Sequence, residues 1–278
     1  MNNTLFSIYT RPISPIPTDL KPQGKLDGPI RCVLFDVYGT LFISGSGDIG
    51  VAKKEFAQNE KLKQLMLKYR IDKPVPDVLH EFFRAIENKH AQLRNEGIDT
   101  PEVEIDQIWK EVLKLDNFRE FALEFELIVN PVFPMPHLKE MLIGCQRRHL
   151  LTGIISNAQF FTKLLFSWFL EAELEDLGFS SELVIFSYRF GRAKPSLSLF
   201  NHAAERLREK NITENSVLYV GNDMLNDIYP AKMVGFKTAL FAGDKRSLRI
   251  RENDPRCRQI RPDIVITDLI QLLDHLPG

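Results

Sequence analysis

Hydrophobic and polar positions change their period twice along this chain. Ile30-Arg31-Cys32-Val33-Leu34-Phe35 is a short apolar run stopped by Asp36 and Gly39, the profile of a buried parallel strand. A glycine- and serine-rich loop, Ser44-Gly45-Ser46-Gly47, follows it. From about Val51 to Leu127 the pattern is amphipathic and helical, in stretches near 51–70, 77–96, 101–115 and 118–127 with no strand signal between them. Pro74, Pro76 and Pro101 separate those stretches. Short apolar runs then alternate with helical patterns: strands at Leu151–Ile155, Leu183–Phe186, Val217–Val220, Thr238–Phe241 and Ile264–Ile266, and helices over 137–148, 196–210 and 227–234. Alternating units of this kind predict an α/β fold, a parallel sheet covered by helices on both faces, with a helical module inserted after the first strand. Residues 1–28 are polar and punctuated by Pro12, Pro15, Pro17 and Pro22, with Pro29 just beyond. That spacing predicts an extended or disordered arm, holding neither a helix nor a central strand.

Composition narrows the function classes. The chain has 278 residues, 44% of them hydrophobic, enough for one large core or two smaller ones. Its 36 basic and 37 acidic side chains leave a net charge of −1, without the basic excess that nucleic acid or an anionic membrane would require. No apolar run reaches the ~18 residues of a membrane span. The richest, Phe160 to Leu170, is broken by Lys163 and followed by an acidic stretch. The N-terminus lacks the charged-then-apolar order of a signal peptide. Cys32, Cys145 and Cys257 are odd in number and far apart, which predicts reduced, buried thiols. The expectation is a soluble cytoplasmic protein acting on something small.

In a parallel α/β sheet, ligands bind beyond the carboxyl ends of the strands. Four strand ends carry suitable groups: Asp36-Val37-Tyr38-Gly39-Thr40-Leu41, then Ser156-Asn157, then Gly191-Arg192-Ala193-Lys194-Pro195, then Gly221-Asn222-Asp223-Met224-Leu225-Asn226-Asp227. A carboxylate at a buried strand tip can attack phosphorus or carbon as a nucleophile. A serine with free amides at a helix start can hold an anionic oxygen. A lysine can neutralise nucleophile and substrate together, and aspartates at a strand end make a hard-oxygen site suited to Mg²⁺. Taken singly each is an ordinary turn or cap. Their order and placement carry the weight.

These residues resemble the haloacid dehalogenase-like (HAD) hydrolase superfamily, with a Rossmann-like core. Its first motif, DxDGT, is similar to Asp36 to Thr40; its Ser/Thr after a strand matches Ser156; its Lys before Pro matches Lys194; its acidic fourth motif matches Gly221 to Asp227. The helical block falls where that superfamily often inserts a cap. The resemblance implies an arm at 1–28, an α/β core at 29–47 and 128–278, and an all-helical cap at 48–127. It also implies Asp36 as covalent nucleophile, Lys194 orienting nucleophile and substrate, and Thr40, Ser156 and Asn157 binding substrate.

Two departures matter. The family's phosphatases place an acid two residues after the nucleophile to protonate the leaving group, and here that residue is Tyr38, a candidate catalytic group whose phenol is a poor substitute for that acid and whose ring packing against the cap is the better reading. General acid catalysis is worth ~10²–10⁴ in rate. The Asp-x-Tyr-Gly-Thr form is similar to the 2-haloacid dehalogenases, whose halide leaves without a proton, and phosphorus–carbon-cleaving members also lack the acid. In the fourth motif, the metal-binding Asp falls on Asn222 when counted from Gly221, and on Asp223 when counted back from Asp227. Asp36, Asp223 and Asp227 against Lys194 leave a deficit of positive charge that Mg²⁺ would offset. The expected metal set is therefore Asp36, the carbonyl of Tyr38, Asn222 or Asp223, and Asp227, and it fails for Asp223 if that residue caps the following helix.

The leading expectation is a Mg²⁺-dependent hydrolase of a small anionic metabolite, phosphorylated or phosphono. The alternatives are a metal-free 2-haloacid dehalogenase and a catalytically reduced binding or regulatory protein. Within the cap, His80, Arg84 and Asn88, with His90 and Arg94, form either a cationic stripe toward the core or a solvated face. Trp109 and Phe83 are expected in the cap core. The basic stretch Phe241 to Arg251 is read as a solvated loop.

Overall fold

The computed structural model describes residues 2–45 and 59–277. Ser46, Gly47 and the expected first residues of the cap, 48–58, lie outside them. A seven-stranded sheet forms the core, in the order β1 (Gln23–Gly24), β9 (Ile264–Ile266), β8 (Lys237–Phe241), β7 (Val217–Gly221), β2 (Cys32–Phe35), β5 (Leu151–Ser156), β6 (Phe179–Phe186). All neighbours are parallel except the β1–β9 pair. Every residue of β2 is fully buried, as an apolar run of that length requires when helices cover both faces of its sheet. The Rossmann-like α/β fold expected from the alternation is the one observed.

Register explains why distant loops meet. Phe35 lies opposite Ile154 on one side and Val220 on the other. The chain leaves β2 at Asp36, reaches the end of β5 at Ser156 and passes the end of β7 at Asn222, all on one edge of the sheet. Ser156 in turn pairs with Phe186 on β6, whose short following helix leads to Lys194.

The helical insert comprises α2 (Glu60–Lys68), α3 (Val75–Asn95), α4 (Ile105–Leu113) and α5 (Phe118–Val129), which runs past the expected boundary at 127. It packs about its own hydrophobic cluster, including Leu65, Val78, Phe82, Trp109, Phe121 and Phe125. Phe82 and Trp109 stack with centroids 3.9 Å apart. Phe83 sits at the edge of this cluster. His80, Arg84, Asn88 and Arg94 are exposed, so the basic stripe of α3 is a solvated face rather than a surface turned toward the core. A two-stranded antiparallel ribbon, β3 (Phe42–Ser44) with β4 (Val132–Pro134), ties the chain leaving the core to the chain returning from the insert.

The N-terminal arm corrects an expectation. Residues Asn2–Tyr9 form helix α1, and Gln23–Gly24 add an antiparallel edge strand beside Ile264 and Val265. The prolines begin at Pro12, so nothing prevents a helix before them, and the apolar Leu5 and Phe6 give that helix a face to bury. Phe6 is 1% exposed and stacks on Trp168 at 5.6 Å. Tyr9 donates its hydroxyl hydrogen to Glu124 of α5 at 2.8 Å, so α1 bridges core and insert. Cys32, Cys145 and Cys257 are buried free thiols. Among the described residues no helix is long and apolar enough to cross a membrane.

Truncating a buried phenylalanine costs about 3–5 kcal/mol. Phe6→Ala is therefore expected to lower the urea midpoint of unfolding by an amount equivalent to about 3 kcal/mol, whereas an undocked arm would leave that midpoint unchanged.

Candidate active site

Asp36 caps the end of β2 with a carboxylate only 6% exposed. Its Oδ1 accepts hydrogen bonds from the Lys194 ammonium at 2.7 Å and the Ser156 hydroxyl at 2.9 Å. Among the described residues no donor reaches its Oδ2. Lys194 Nζ also donates to Asp227 Oδ1 at 2.5 Å and to the Tyr219 hydroxyl oxygen at 3.2 Å. Tyr219 passes its own hydrogen to the Ile155 carbonyl at 2.7 Å. Asp36, Ser156, Lys194 and Asp227, read from four separate motifs, thus form one buried cluster.

Electrostatics hold that cluster together. Burial alone would lower the Lys194 pKa, but the carboxylates of Asp227 and Asp36 outweigh it and raise it, so the side chain stays an ammonium. Burial lifts Asp227 well above the usual carboxylate range, with Lys194 opposing and Asp36 and Asp223 adding to the shift. Asn157 places the lysine: its Oδ1 accepts from the Lys194 backbone N–H at 2.7 Å, and its Nδ2 donates to the Lys194 carbonyl at 3.3 Å. Thr40, expected at substrate, is fully buried and donates to Asn222 Oδ1 at 3.1 Å. Gly39, at φ +84°, lets the turn pass Asn222 and Ser247 where any side chain would collide.

The fourth motif separates its two registers. Asp223 accepts from the N–H groups of Leu225 at 2.8 Å and Asn226 at 3.3 Å, capping the turn of π-helix that follows. Arg251 grips the same carboxylate through Nε at 3.1 Å and Nη2 at 2.7 Å. With its oxygens committed to a cap and a guanidinium, Asp223 meets the condition under which it fails as a metal ligand. Asp227, held by Lys194 and by the Asp223 N–H at 2.9 Å, has both oxygens engaged as well. Asn222 is the residue of that register left with its amide oxygen beside the first motif, its Nδ2 donating to the Ser247 carbonyl at 2.6 Å. Arg251 also supplies a second cation to the cluster, so the charge deficit is smaller than the sequence suggests.

These groups line a cavity of about 430 Å³. The core contributes Asp36, Tyr38, Asn157, Lys194, Asn222 and the arginines Arg249 and Arg251; the insert and its linkers contribute Glu102, Ile105, Glu126 and Asn130. Tyr38, expected to act as catalyst or packing, shares a 2.9 Å hydrogen bond with Thr162, and burial pushes its pKa above the ordinary phenol value. It cannot stand in for a carboxylic acid. Reading the sequence missed Arg249, Arg251, Tyr219 and Glu126. The four basic residues after β8 were the available signal for the arginines. Their loop runs beside the fourth motif, Arg249 N–H donating to the Asn222 carbonyl at 3.0 Å.

The haloacid dehalogenase-like hydrolase family matches residues 30–235, and the chain belongs to that family of hydrolases. A glyceraldehyde 3-phosphate phosphatase from Pyrococcus furiosus is 31% identical over 144 residues, which cover 51% of this chain and 54% of that protein, so the match spans about half of each. Among solved structures, a HAD phosphatase from Thermococcus onnurineus aligns over 88% of this chain and 97% of its own, with TM-score 0.54 and 20% identity. A 2-haloacid dehalogenase from Pseudomonas syringae pv. Tomato aligns over the same shares, with TM-score 0.52 and 20% identity. These structural likenesses establish the fold.

Replacing Lys194 by Met leaves Asp36 and Asp227 facing each other without a cation. Removing one partner from a buried ion pair costs about 3–5 kcal/mol. The Lys194→Met variant is expected to lose stability of that order at pH 8, and less at pH 5, where Asp227 takes up a proton and the repulsion falls. Urea titrations at the two pH values measure it. For Glu126, burial raises the pKa from 4.5 to about 7, against a hydrogen bond from Asn130. The native carboxyl therefore binds a proton that the unfolded one releases, and its contribution to stability falls as pH rises across that interval. Glu126→Gln is expected to match wild type at pH 5 and to exceed it in stability at pH 8.5.

Proposed function

We propose that this HAD-like hydrolase is a phosphatase acting on a small phosphorylated metabolite through a covalent intermediate on Asp36. The observation that carries the reading is the asymmetry of the Asp36 carboxylate at the cavity. One oxygen is held by Lys194 and Ser156, and the other accepts no hydrogen bond from a described residue. Fixing one oxygen aims the other, as a nucleophile requires. Attack of that oxygen on phosphorus forms an aspartyl phosphate and expels the alcohol oxygen. Water then cleaves the phosphoryl bond and returns Asp36. Lys194 balances the charge of nucleophile and phosphoryl group throughout, and Asn157 keeps it in register.

A Mg²⁺ ion would be held by the unbonded Asp36 oxygen, the carbonyl of Tyr38 and the amide oxygen of Asn222, which accepts one hydrogen bond from Thr40. Asp223 and Asp227, whose oxygens are held by a guanidinium, an ammonium and backbone amides, would not join them. With one carboxylate and two neutral oxygens the set fits a weakly held, largely hydrated Mg²⁺. Such an ion would offset negative charge as a phosphate dianion enters a cavity already rich in acids.

The P. furiosus relative's name supports phosphate over halide. The cavity wall adds to it. Among the described residues, the insert and its linkers present Glu102 and Glu126 there and no cation, so the carboxylate of a 2-haloacid would meet no partner from that side. Tyr38 and Asn222, each replacing an acid of the phosphatase pattern, are the features that favour the dehalogenase reading.

The test is a panel of alkyl and aryl phosphates, phosphonates and 2-haloacids, each with Mg²⁺ or with EDTA. We expect phosphate release that EDTA abolishes and Mg²⁺ restores, and that Asp36→Asn reduces by about 10³-fold or more. Halide release insensitive to EDTA would establish the dehalogenase instead. Silence in both wild type and Asp36→Asn would point to a binding or regulatory protein.

A further inference from the structure

A phosphatase that expels an alkoxide needs a proton donor, and the position two residues after Asp36 holds Tyr38. The cavity offers few substitutes. Asp223 and Asp227 have both oxygens engaged. Glu102 accepts from Val103 N–H at 3.0 Å through Oε1 and from Ser187 at 2.8 Å through Oε2. Burial raises its pKa against those two hydrogen bonds, but with both oxygens engaged neither is free to face a leaving group. Glu126 differs. Its Oε1 accepts from Asn130 Nδ2 at 3.0 Å, and among the described residues no donor reaches Oε2.

Its place on α5 is also unusual. From Phe121 to Asn130 every other residue is buried, and Glu126 alone is part-exposed, to the cavity that holds Asp36. Asn130 is itself positioned by Ser44, whose hydroxyl donates to Asn130 Oδ1 at 2.8 Å. Ser44 lies on β3, which leads directly from the nucleophile loop. A short chain of hydrogen bonds therefore ties the insert's carboxyl to the core where the two meet.

Resting on the phosphatase reading, we propose that Glu126 is the general acid and base of this enzyme, supplied by the helical insert in place of the residue two after the nucleophile. As the Asp36 oxygen bonds to phosphorus and the phosphorus–alkoxide bond breaks, the Glu126 carboxyl gives its proton to the departing oxygen. The carboxylate so formed accepts a proton from the water that attacks the aspartyl phosphate, which restores Glu126 and releases inorganic phosphate. The elevated pKa of this buried carboxyl suits both steps near neutral pH. Because the acid comes from the insert, the alcohol is expelled only when insert and core close on the same substrate.

The experiment compares two leaving groups in wild type and Glu126→Gln. Glycerol 3-phosphate, or the best alkyl ester of the panel, must release an alkoxide, whereas the nitrophenolate of p-nitrophenyl phosphate leaves without a proton. The variant is expected to lose ~10²–10⁴ in the first-turnover rate on the alkyl ester, while its pre-steady-state burst of nitrophenolate from the aryl ester stays within about threefold of wild type and the steady-state rate that follows falls with the lost base. A retained nitrophenolate burst shows that the variant is folded and its nucleophile intact. Equal losses of the first turnover on both esters, no loss on either, or a wild type that cleaves only the aryl ester would overturn the assignment while leaving the phosphatase reading in place. A wild type that cleaves neither ester removes that reading and this inference with it.

Discussion

One ammonium group organises this molecule. Lys194 Nζ lies within 2.7 Å of Asp36 and 2.5 Å of Asp227, with its side chain 3% exposed. Two carboxylates this close would repel, and without a cation at least one would take up a proton. The lysine between them offsets that repulsion, and the loops bearing all three must converge. Other features serve that arrangement. Asn157 fixes the lysine's backbone on both sides, Tyr219 receives its third hydrogen, and Gly221 is bare because a side chain there would strike the Asp227 carboxyl. The buried triad is costly to desolvate and is strongly committed to this one geometry.

Around it the chain divides its labour. The parallel sheet brings strand ends to one edge by register alone, so the nucleophile, the serine and the fourth motif are placed by β2, β5 and β7. The helical insert has a separate aromatic core and, among the described residues, adds acids and no cation to the cavity wall. Among the described residues several contacts link the two parts, the bonds of Thr100 to Ala193 and of Ser187 to Glu102 among them. The β3–β4 ribbon joins their connections, Ser44 bonds Asn130 across the junction, and α1 packs on the core through Phe6 while bonding Glu124 of the insert through Tyr9. Glu124 also accepts from Lys68 and Tyr69, so the N-terminal helix contacts a residue already fixed inside the insert.

The acids of this cavity illustrate how neighbours decide chemistry. Asp223 is neutralised by Arg251 and spent on capping, Asp227 leans on Lys194, and Glu102 is held by a hydroxyl and an amide. Glu126 has one amide donor and an apolar helix around it, and it alone combines a high pKa with an unengaged oxygen. Five carboxyls share one space, yet their partners give them different surroundings and different roles.

Much of this was legible in the sequence, because strand-end motifs are local. An apolar run stopped by Asp36, or Val217 to Val220 followed by glycine and acids, marks where a buried strand surfaces, whatever lies elsewhere. Alternation of period gave the α/β order and the helical insert for the same reason. The N-terminal helix was obscured because proline spacing after residue 12 dominated the view, while the reason for a helix, a hydrophobic groove beside Trp168, exists only once the chain is folded. Arg251, Glu126 and Tyr219 carry no local signature at all; nothing in their neighbours distinguishes a salt bridge to Asp223 or a cavity-facing carboxyl from a solvated side chain. The choice between Asn222 and Asp223 likewise awaited three dimensions. A motif's spacing constrains which residues approach a site, but which oxygen is left free depends on donors arriving from other loops, and that is a property of packing.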